Sequence, residues 1–191
     1  MSATSPASRP QNSARSAPAE PIDLASLIRD VADFPKPGVL FKDITTLVRN
    51  GPAFRYVIDR LTDVYRDAAI DQVVGVESRG FIFAAPIAYN LGAGFVPVRK
   101  PGKLPWQSVR TEYELEYGTS ALEVHRDAIE PGQRVLIVDD VLATGGSARA
   151  TARLVEELGG TVAGIAVVVE LTFLHGRERL AGYDLTSLVQ F

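Results

Sequence analysis

The hydrophobic and polar positions of this chain alternate between two periods. Short apolar runs, such as 72–77 ("QVVGVE") and 135–140 ("VLIVDD"), predict buried strands. Stretches with apolar residues three and four apart, such as Phe54 to Tyr65, predict amphipathic helices. Because the two kinds of segment follow one another, the pattern predicts an α/β fold with a mostly parallel central sheet flanked by helices.

Further elements follow from the same pattern and from capping residues. A first helix is predicted over 24–31, with Asp23 as its N-cap, followed by an ordered loop over 34–45. Further helices are predicted over 81–92, ending at Gly92, and over 146–158, followed by Gly159; "NGP" at 50–52 opens the helix that contains Phe54. The remaining strands are predicted over 95–100, 162–171 and 187–191.

The alternation fails between Lys103 and Ile129, where we predict a mobile loop and then a two-stranded ribbon that turns at Gly118-Thr119. The first residues are rich in Ser, Ala and Pro and lack apolar periodicity. We therefore expect a disordered tail over 1–21 and a single domain over 22–191.

Composition narrows the classes of function. The chain has 191 residues, no cysteine and only two histidines, which excludes zinc-thiolate and iron–sulfur sites and disfavours a multi-histidine metal site. The net charge of -3 argues against a nucleic-acid binder, and no apolar run is long enough to span a membrane. We expect a soluble, cytoplasmic protein with no nucleic-acid or membrane partner.

Polar segments follow three of the predicted strands, at 77–80, 99–103 and 139–147. In an open α/β sheet, ligands bind at the carboxyl ends of the strands, so these segments are expected to line one site. The stretch Thr144-Gly145-Gly146-Ser147 suits a phosphate, since backbone N–H groups converge at a glycine-rich helix start.

The adjacent acids Asp139 and Asp140 would repel a phosphate held there. A ribose 5-phosphate resolves this conflict, with its phosphate in the loop and its hydroxyls on the acids. Successive side chains of a strand point to opposite faces, so the acids are expected to have unequal roles if the strand continues through Asp140.

The segment "VLIVDDVLATGGSARA" resembles the phosphoribosyl-pyrophosphate (PRPP) motif of the type I phosphoribosyltransferases. Four further segments resemble the adenine phosphoribosyltransferases in order and spacing, namely "DFPKPGVLFKDIT", "GVESRGFIFAAPIAYNLG", "VRKPGKLP" and "YELEYGTSALEVHRDAIEPG". The resemblance spans Leu24 to Phe191. It implies the type I phosphoribosyltransferase fold, with a small N-terminal hood and a mobile loop and β-ribbon.

The resemblance also implies a reaction, in which adenine and PRPP give AMP and pyrophosphate in purine salvage. Mg²⁺ would be held mainly by the substrate pyrophosphate, with no metal site of the protein's own, and the active form would be a homodimer. A cis peptide is implied at Glu77-Ser78.

The resemblance implies a role for each residue that matches a motif of the family. The implied catalytic residues are Glu116, Arg79 and Lys103. The implied adenine-binding residues are Leu40, Phe41 and Lys42. The implied PRPP- and AMP-binding residues are Glu77, Ser78, Lys100, Asp139, Asp140, Ala143, Thr144, Gly145, Gly146 and Ser147.

Two alternatives remain open on the sequence. One is a phosphoribosyltransferase for xanthine, guanine or orotate, which the hood sequence "FKDIT" disfavours. The other is a purine-responsive regulator without catalysis, disfavoured because the N-terminal tail is too short for a DNA-binding domain.

Overall fold

A computed structural model describes residues 21–114 and 119–191 of the protein, and it describes the backbone but not the side chain of Glu114. The predicted tail, apart from Pro21, lies outside these residues, as do Glu116 and Gly118. In chain order the elements are β1 (Arg29–Ala32), β2 (Leu40–Asp43), α1 (Thr45–Val48), α2 (Gly51–Tyr65), β3 (Gln72–Val76), α3 (Gly80–Leu91), β4 (Gly94–Val98), β5 (Ser108–Glu114), β6 (Thr119–His125), β7 (Arg134–Leu142), α4 (Gly146–Glu157), β8 (Thr161–Glu170) and β9 (Leu185–Gln190).

Five strands form the central sheet in the order β4-β3-β7-β8-β9, and every neighbouring pair is parallel. Side chains of β7 alternate between two hydrophobic cores: Leu136 and Val138 pack with α2 and α3, whereas Val135 and Ile137 pack with α4. The prediction of a parallel sheet covered on both faces is confirmed.

Local capping fixes the helix ends that the sequence predicts. The Asn50 side chain accepts a hydrogen bond from the Ala53 N–H at 3.1 Å, and this starts α2. Gly92, with a φ of 68°, ends α3 in the left-handed conformation that glycine adopts at low cost. The predicted strands and ribbon are likewise confirmed within the described residues.

The first predicted helix is wrong. Only a 3₁₀ turn forms, over Ala25–Leu27, and Val31 lies in β1, which pairs antiparallel with β2. The predicted loop over 34–45 is therefore only partly correct, since Leu40–Asp43 is a strand. Pairing between two segments outweighed the short helical period of the first one. We call this hairpin, residues 29–43, the hood.

No helix within the described ranges is long and apolar enough to cross a membrane.

Candidate active site

A cavity of about 500 Å³ opens at the carboxyl ends of β3, β4 and β7. It brings together these sequence-predicted residues: Glu77, Ser78, Arg79, Lys100, Asp139, Asp140 and Ser147. A smaller adjoining cavity of about 150 Å³ is lined by the predicted phosphate segment from Ala143 to Ser147. The three polar segments therefore contribute to one cleft, as expected from their positions at the carboxyl ends of parallel strands.

The phosphate segment is the turn between β7 and α4. Gly145 has a φ of 80° and caps α4, which begins at Gly146. The first residues of α4 line the small cavity, and the first N–H groups of a helix have no partner within it, so the positive end of α4 lies at this cavity. This arrangement favours a dianion such as a phosphate.

Gly176, a residue that the sequence analysis missed, closes the back of this turn. A Cβ atom at Gly176 would lie 2.1 Å from the Ala143 carbonyl oxygen, and one at Gly145 would lie 2.6 Å from the Gly176 carbonyl oxygen. The two backbones can approach this closely only because both residues are glycines. No local motif around Gly176 signals the contact, since its partner lies in a different part of the chain.

The strand β7 continues to Leu142, so the two acids lie inside it and differ in environment. Asp139 accepts a hydrogen bond from the Asp140 N–H at 2.9 Å through Oδ1. Burial and the neighbouring Asp140 carboxylate raise the pKa of Asp139 well above its ordinary value. The two acids therefore differ in environment, and the unequal roles expected for them stay a prediction.

Asp140 faces Arg79. Its Oδ2 lies 2.8 Å from the Arg79 Nε, which makes an ion pair, yet this buried oxygen accepts no properly directed hydrogen bond within the described residues. The opposite charges of Asp140 and Arg79 attract each other, while Oδ2 of Asp140 can still accept a hydrogen bond. A buried acceptor in that state favours a ligand hydroxyl.

The side chain of Glu77 holds the end of β4 in place. Its Oε2 accepts hydrogen bonds from the Lys100 N–H at 3.0 Å and from the Arg99 Nε at 3.2 Å. Burial alone would raise the pKa of Glu77, but these two bonds lower it below its ordinary value. The Glu77-Ser78 peptide is cis, as the resemblance implies.

The Lys103 side chain is exposed and is not part of the cavity wall.

The hood reaches the site through Phe41. The guanidinium of Arg79 lies 5.2 Å from the centre of the Phe41 ring, which is also packed edge-on against Phe34. Lys42 is turned away, with its Nζ 2.7 Å from Asp30 and 3.8 Å from the centre of the Phe191 ring. Leu40 is half exposed beside them.

Asp43 fixes the base of the hood. It accepts hydrogen bonds from Arg29 and from the Thr45 N–H and hydroxyl, and these lower its pKa to about 2. Asp43 thus ties the end of β2 to the start of α1.

Tyr113 is the second residue that the sequence analysis missed. It extends from β5 and lines both the large and the small cavity. The sequence pattern does not single out Tyr113 as a site residue, because it lies in an acid-rich ribbon where alternate residues are polar. The nearby Trp106 packs edge-on against His125 and remains about half exposed.

The segment that carries Gly176 is held by a buried carboxylate. Arg177 donates from Nε and from a terminal nitrogen to the two oxygens of Glu170, at 2.8 and 2.6 Å. The Ser187 hydroxyl and the Gln190 amide also donate to Glu170. With Arg177 as the main cause, the pKa of Glu170 is lowered from 4.5 to about 2.

Stability is therefore expected to depend on pH through Glu170. Its stabilising effect is present above pH 4.5, the unfolded-state value, and is lost as the pH falls toward 2. Between pH 7 and pH 3 the loss from this one group amounts to about 2 kcal/mol. Urea unfolding of the protein and of Glu170→Gln at both pH values would measure it. The same pH dependence in both proteins would contradict the assignment.

Comparisons with known proteins agree with this geometry. A family model described as the phosphoribosyl transferase domain matches residues 44–186. An adenine phosphoribosyltransferase of Chloroflexus aurantiacus is 62% identical over 169 residues, which cover 88% of this chain and 98% of the relative.

Solved structures agree as well. The adenine phosphoribosyltransferase of Thermoanaerobacter pseudethanolicus superposes with a TM-score of 0.85 at 54% identity, covering 88% of this chain and 98% of that one. The Saccharomyces cerevisiae enzyme, solved with adenine and an imino-altritol bisphosphate, superposes with a TM-score of 0.81 at 41% identity, covering 86% and 96%. With the strand-end cleft, its phosphate turn and its hood all in the expected places, the chain belongs to the adenine phosphoribosyltransferases of the type I phosphoribosyltransferase family.

Proposed function

We propose that the strand-end cleft transfers the 5-phosphoribosyl group of PRPP to adenine. The bond from the anomeric carbon to the pyrophosphate oxygen breaks, a bond to adenine N9 forms, and N9 loses its proton. The products are AMP and pyrophosphate. The observation that carries the proposal is that a phosphate turn and an acid pair line two adjoining cavities, with Arg79 of the larger cavity in contact with the aromatic hood residue Phe41.

The sugar phosphate binds along β7 and the turn that follows it. Backbone N–H groups and hydroxyls from Ala143 to Ser147 hold the 5′-phosphate, since the turn and the start of α4 favour an anion. Asp140 accepts a ribose hydroxyl with the oxygen that has spare capacity. Asp139 accepts a hydrogen bond from the Asp140 N–H and so helps to position the Asp140 carboxylate. Asp139 also lines both cavities.

The pyrophosphate leaves toward Ser78, Arg79 and Lys100, which line the other wall of the cavity. Cations placed there stabilise the charge that develops on the leaving group as the sugar becomes oxocarbenium-like. Lys103 lies on the segment after Lys100 and would have to turn inward to contribute.

The residues of the site fit a metal that arrives with the substrate. No group of three or more His, Cys, Asp or Glu side chains in residues 21–114 and 119–191 could hold a metal ion. Mg²⁺ commonly binds through substrate phosphates with one or two carboxylates, and Asp139 and Asp140 are the carboxylates available in the cavity. When bound, the ion would neutralise charge on the pyrophosphate.

Adenine binds under the hood. Phe41 offers a ring for stacking, and Leu40 an adjacent apolar contact. Because the Lys42 ammonium is engaged by Asp30, the main chain of Lys42 is the part that reads the edge of the base. Glu116, three residues after Tyr113 in the chain, handles the proton of the base.

A turnover assay tests the proposal. Purified protein with Mg²⁺, PRPP and adenine should release pyrophosphate and form AMP, while xanthine, guanine and orotate should give little product. Turnover with one of those bases in preference to adenine would support the first alternative. Binding of purines without turnover would support the regulator, and either result would overturn the proposal.

Asp140→Asn is expected to weaken PRPP binding by about tenfold, because an acceptor of a ribose hydroxyl loses its charge and its ion pair with Arg79. Isothermal titration with PRPP would measure the change. Asp63→Asn is a matched control, since Asp63 forms an ion pair with Arg66 on the surface of α2. Unchanged PRPP affinity in Asp140→Asn would count against the ribose assignment.

The assembly and the boundaries are also part of the proposal. The outer face of α3 exposes Ile82 and Tyr89, and Phe95 is exposed near the start of the neighbouring strand β4. These exposed apolar side chains support a homodimer. Light scattering that gives the mass of one chain would contradict the dimer.

The tail over 1–21, the single domain over 22–191 and a cytoplasmic location stay predictions from the sequence.

A further inference from the structure

A second cleft, of about 640 Å³, lies beside the active site between β5, the outer side of α4 and the 3₁₀ segment Gly176–Leu180. Its walls include Tyr113 and Gly146 at the inner end, and Arg149, Arg153 and Arg179 further out. The proposed reaction uses none of these three arginines. The cleft therefore calls for a separate explanation.

The carboxylates that the structure describes form no ion pair with these three arginines. Within the part of the chain that the structure describes, no carboxylate lies within ion-pair distance of Arg149, Arg153 or Arg179. Arg149 lies 5.4 Å from the centre of the Tyr183 ring, which orients its guanidinium without neutralising it. Arg177, two residues before Arg179, has both oxygens of Glu170 as partners, so the contrast arises within a single segment.

Three acids near the cleft have other partners. Glu112 lies 3.1 Å from Arg110, and Glu178 lies 3.1 Å from the His175 Nδ1. Glu156, on the same helix as Arg153, accepts a hydrogen bond from the Tyr183 hydroxyl at 2.6 Å. Glu112 and Glu178 line the cleft beside the three arginines, but neither lies at ion-pair distance from them, so the three guanidinium groups outnumber the two carboxylates in this concave site.

We propose that this cleft binds a multivalent phosphate anion, such as the triphosphate of a nucleotide or free polyphosphate. A guanidinium group presents parallel N–H donors that match phosphate oxygens, and three such groups on two elements suit a chain of phosphates. The cleft is about as large as the two active-site cavities together, which are proposed to hold PRPP, so a triphosphate fits its size.

The anion would act on the active site through shared residues. Tyr113 lines this cleft and both cavities of the active site, and Gly146 begins α4 at the phosphate turn. A phosphate chain held by Arg149 and Arg153 on one side and facing Tyr113 on the other would fix β5 against α4. The cleft is therefore an effector site that sets the position of the ribbon.

Titration calorimetry of the full chain with inorganic tripolyphosphate tests the site. The double variant Arg153→Gln/Arg179→Gln should bind at least about tenfold more weakly at one site than the unaltered protein does. Arg60→Gln is the matched control, because Arg60 is an exposed arginine of α2, the helix that packs on the opposite core. Equal stoichiometry and affinity in the double variant and the control would overturn the proposal.

Two further arms complete the test. Uridine triphosphate in place of tripolyphosphate distinguishes the sources, since tighter binding identifies a nucleotide and equal binding identifies the phosphate chain alone.

Hydrogen exchange of residues 108–113 should slow with tripolyphosphate in the protein and in Arg60→Gln but not in the double variant. Unchanged exchange in all three would overturn the effector role. If the double variant does not fold, as thermal unfolding would show, Arg153→Gln alone replaces it. No readout requires turnover, so this proposal and the reaction fail independently.

Discussion

Replacing Glu116 by glutamine is expected to lower kcat by about a hundredfold while PRPP affinity changes by less than about twofold. Glutamine keeps the size and one hydrogen-bonding oxygen of the side chain but cannot accept the proton of the base. A group that acts only as the base reacts affects turnover and leaves the sugar-phosphate contacts intact. Steady-state kinetics with adenine, together with titration of PRPP, would separate the two effects.

Glu112→Gln is the control for this substitution. Glu112 lies on the same acid-rich ribbon, and its carboxylate is exposed and paired with Arg110. The control should retain nearly full kcat. Equal activity in Glu116→Gln and Glu112→Gln would remove Glu116 from the chemistry.

Replacing Gly176 by alanine is expected to destabilise the protein by about 3 kcal/mol and to weaken PRPP binding by at least tenfold. The new methyl group would lie 2.1 Å from the Ala143 carbonyl oxygen and 3.0 Å from the Gly145 nitrogen. Both atoms belong to the backbone of the phosphate turn, so a side-chain rotation cannot relieve the overlap. The turn must move, and its N–H groups move with it.

Gly51→Ala provides the comparison. Gly51 begins α2, a methyl group there meets no atom within 4 Å, and its φ is ordinary for any residue. Urea unfolding and PRPP titration of both variants would measure the two effects. If Gly176→Ala keeps the PRPP affinity of Gly51→Ala, the contact between Gly176 and the turn has no part in phosphate binding.

The periodicity of the chain was sufficient for the central sheet because each strand of that sheet is a continuous apolar run. Val135 to Val138 have side chains buried on both faces, and such a run has few alternatives in water. Leu24 to Val31 were misassigned for a related reason. That segment is short, and its pairing partner lies beyond a proline-rich turn, so the local helical spacing carried no information about it.

The linear motifs likewise predicted most of the candidate site. Ser78, Arg79 and Lys100 follow parallel strands, and the two acids lie near the carboxyl end of β7. The carboxyl ends of parallel strands meet at one edge of the sheet. Gly176 and Tyr113 were missed because neither lies at a strand end of the central sheet. Each contributes through a contact with a residue distant in the chain.

The sequence by itself determined the α/β class, the phosphate turn, the acid pair and the family motifs, because these depend on local spacing and on residue types adjacent in the chain. Only the tertiary structure decided that Arg79 lies between Asp140 and Phe41 and that Glu77 is engaged by Arg99. The same holds for the three arginines of the second cleft, with which none of the described carboxylates forms an ion pair. These features depend on which side chains meet across elements. Such meetings follow from packing of the whole domain, which no single stretch of sequence encodes.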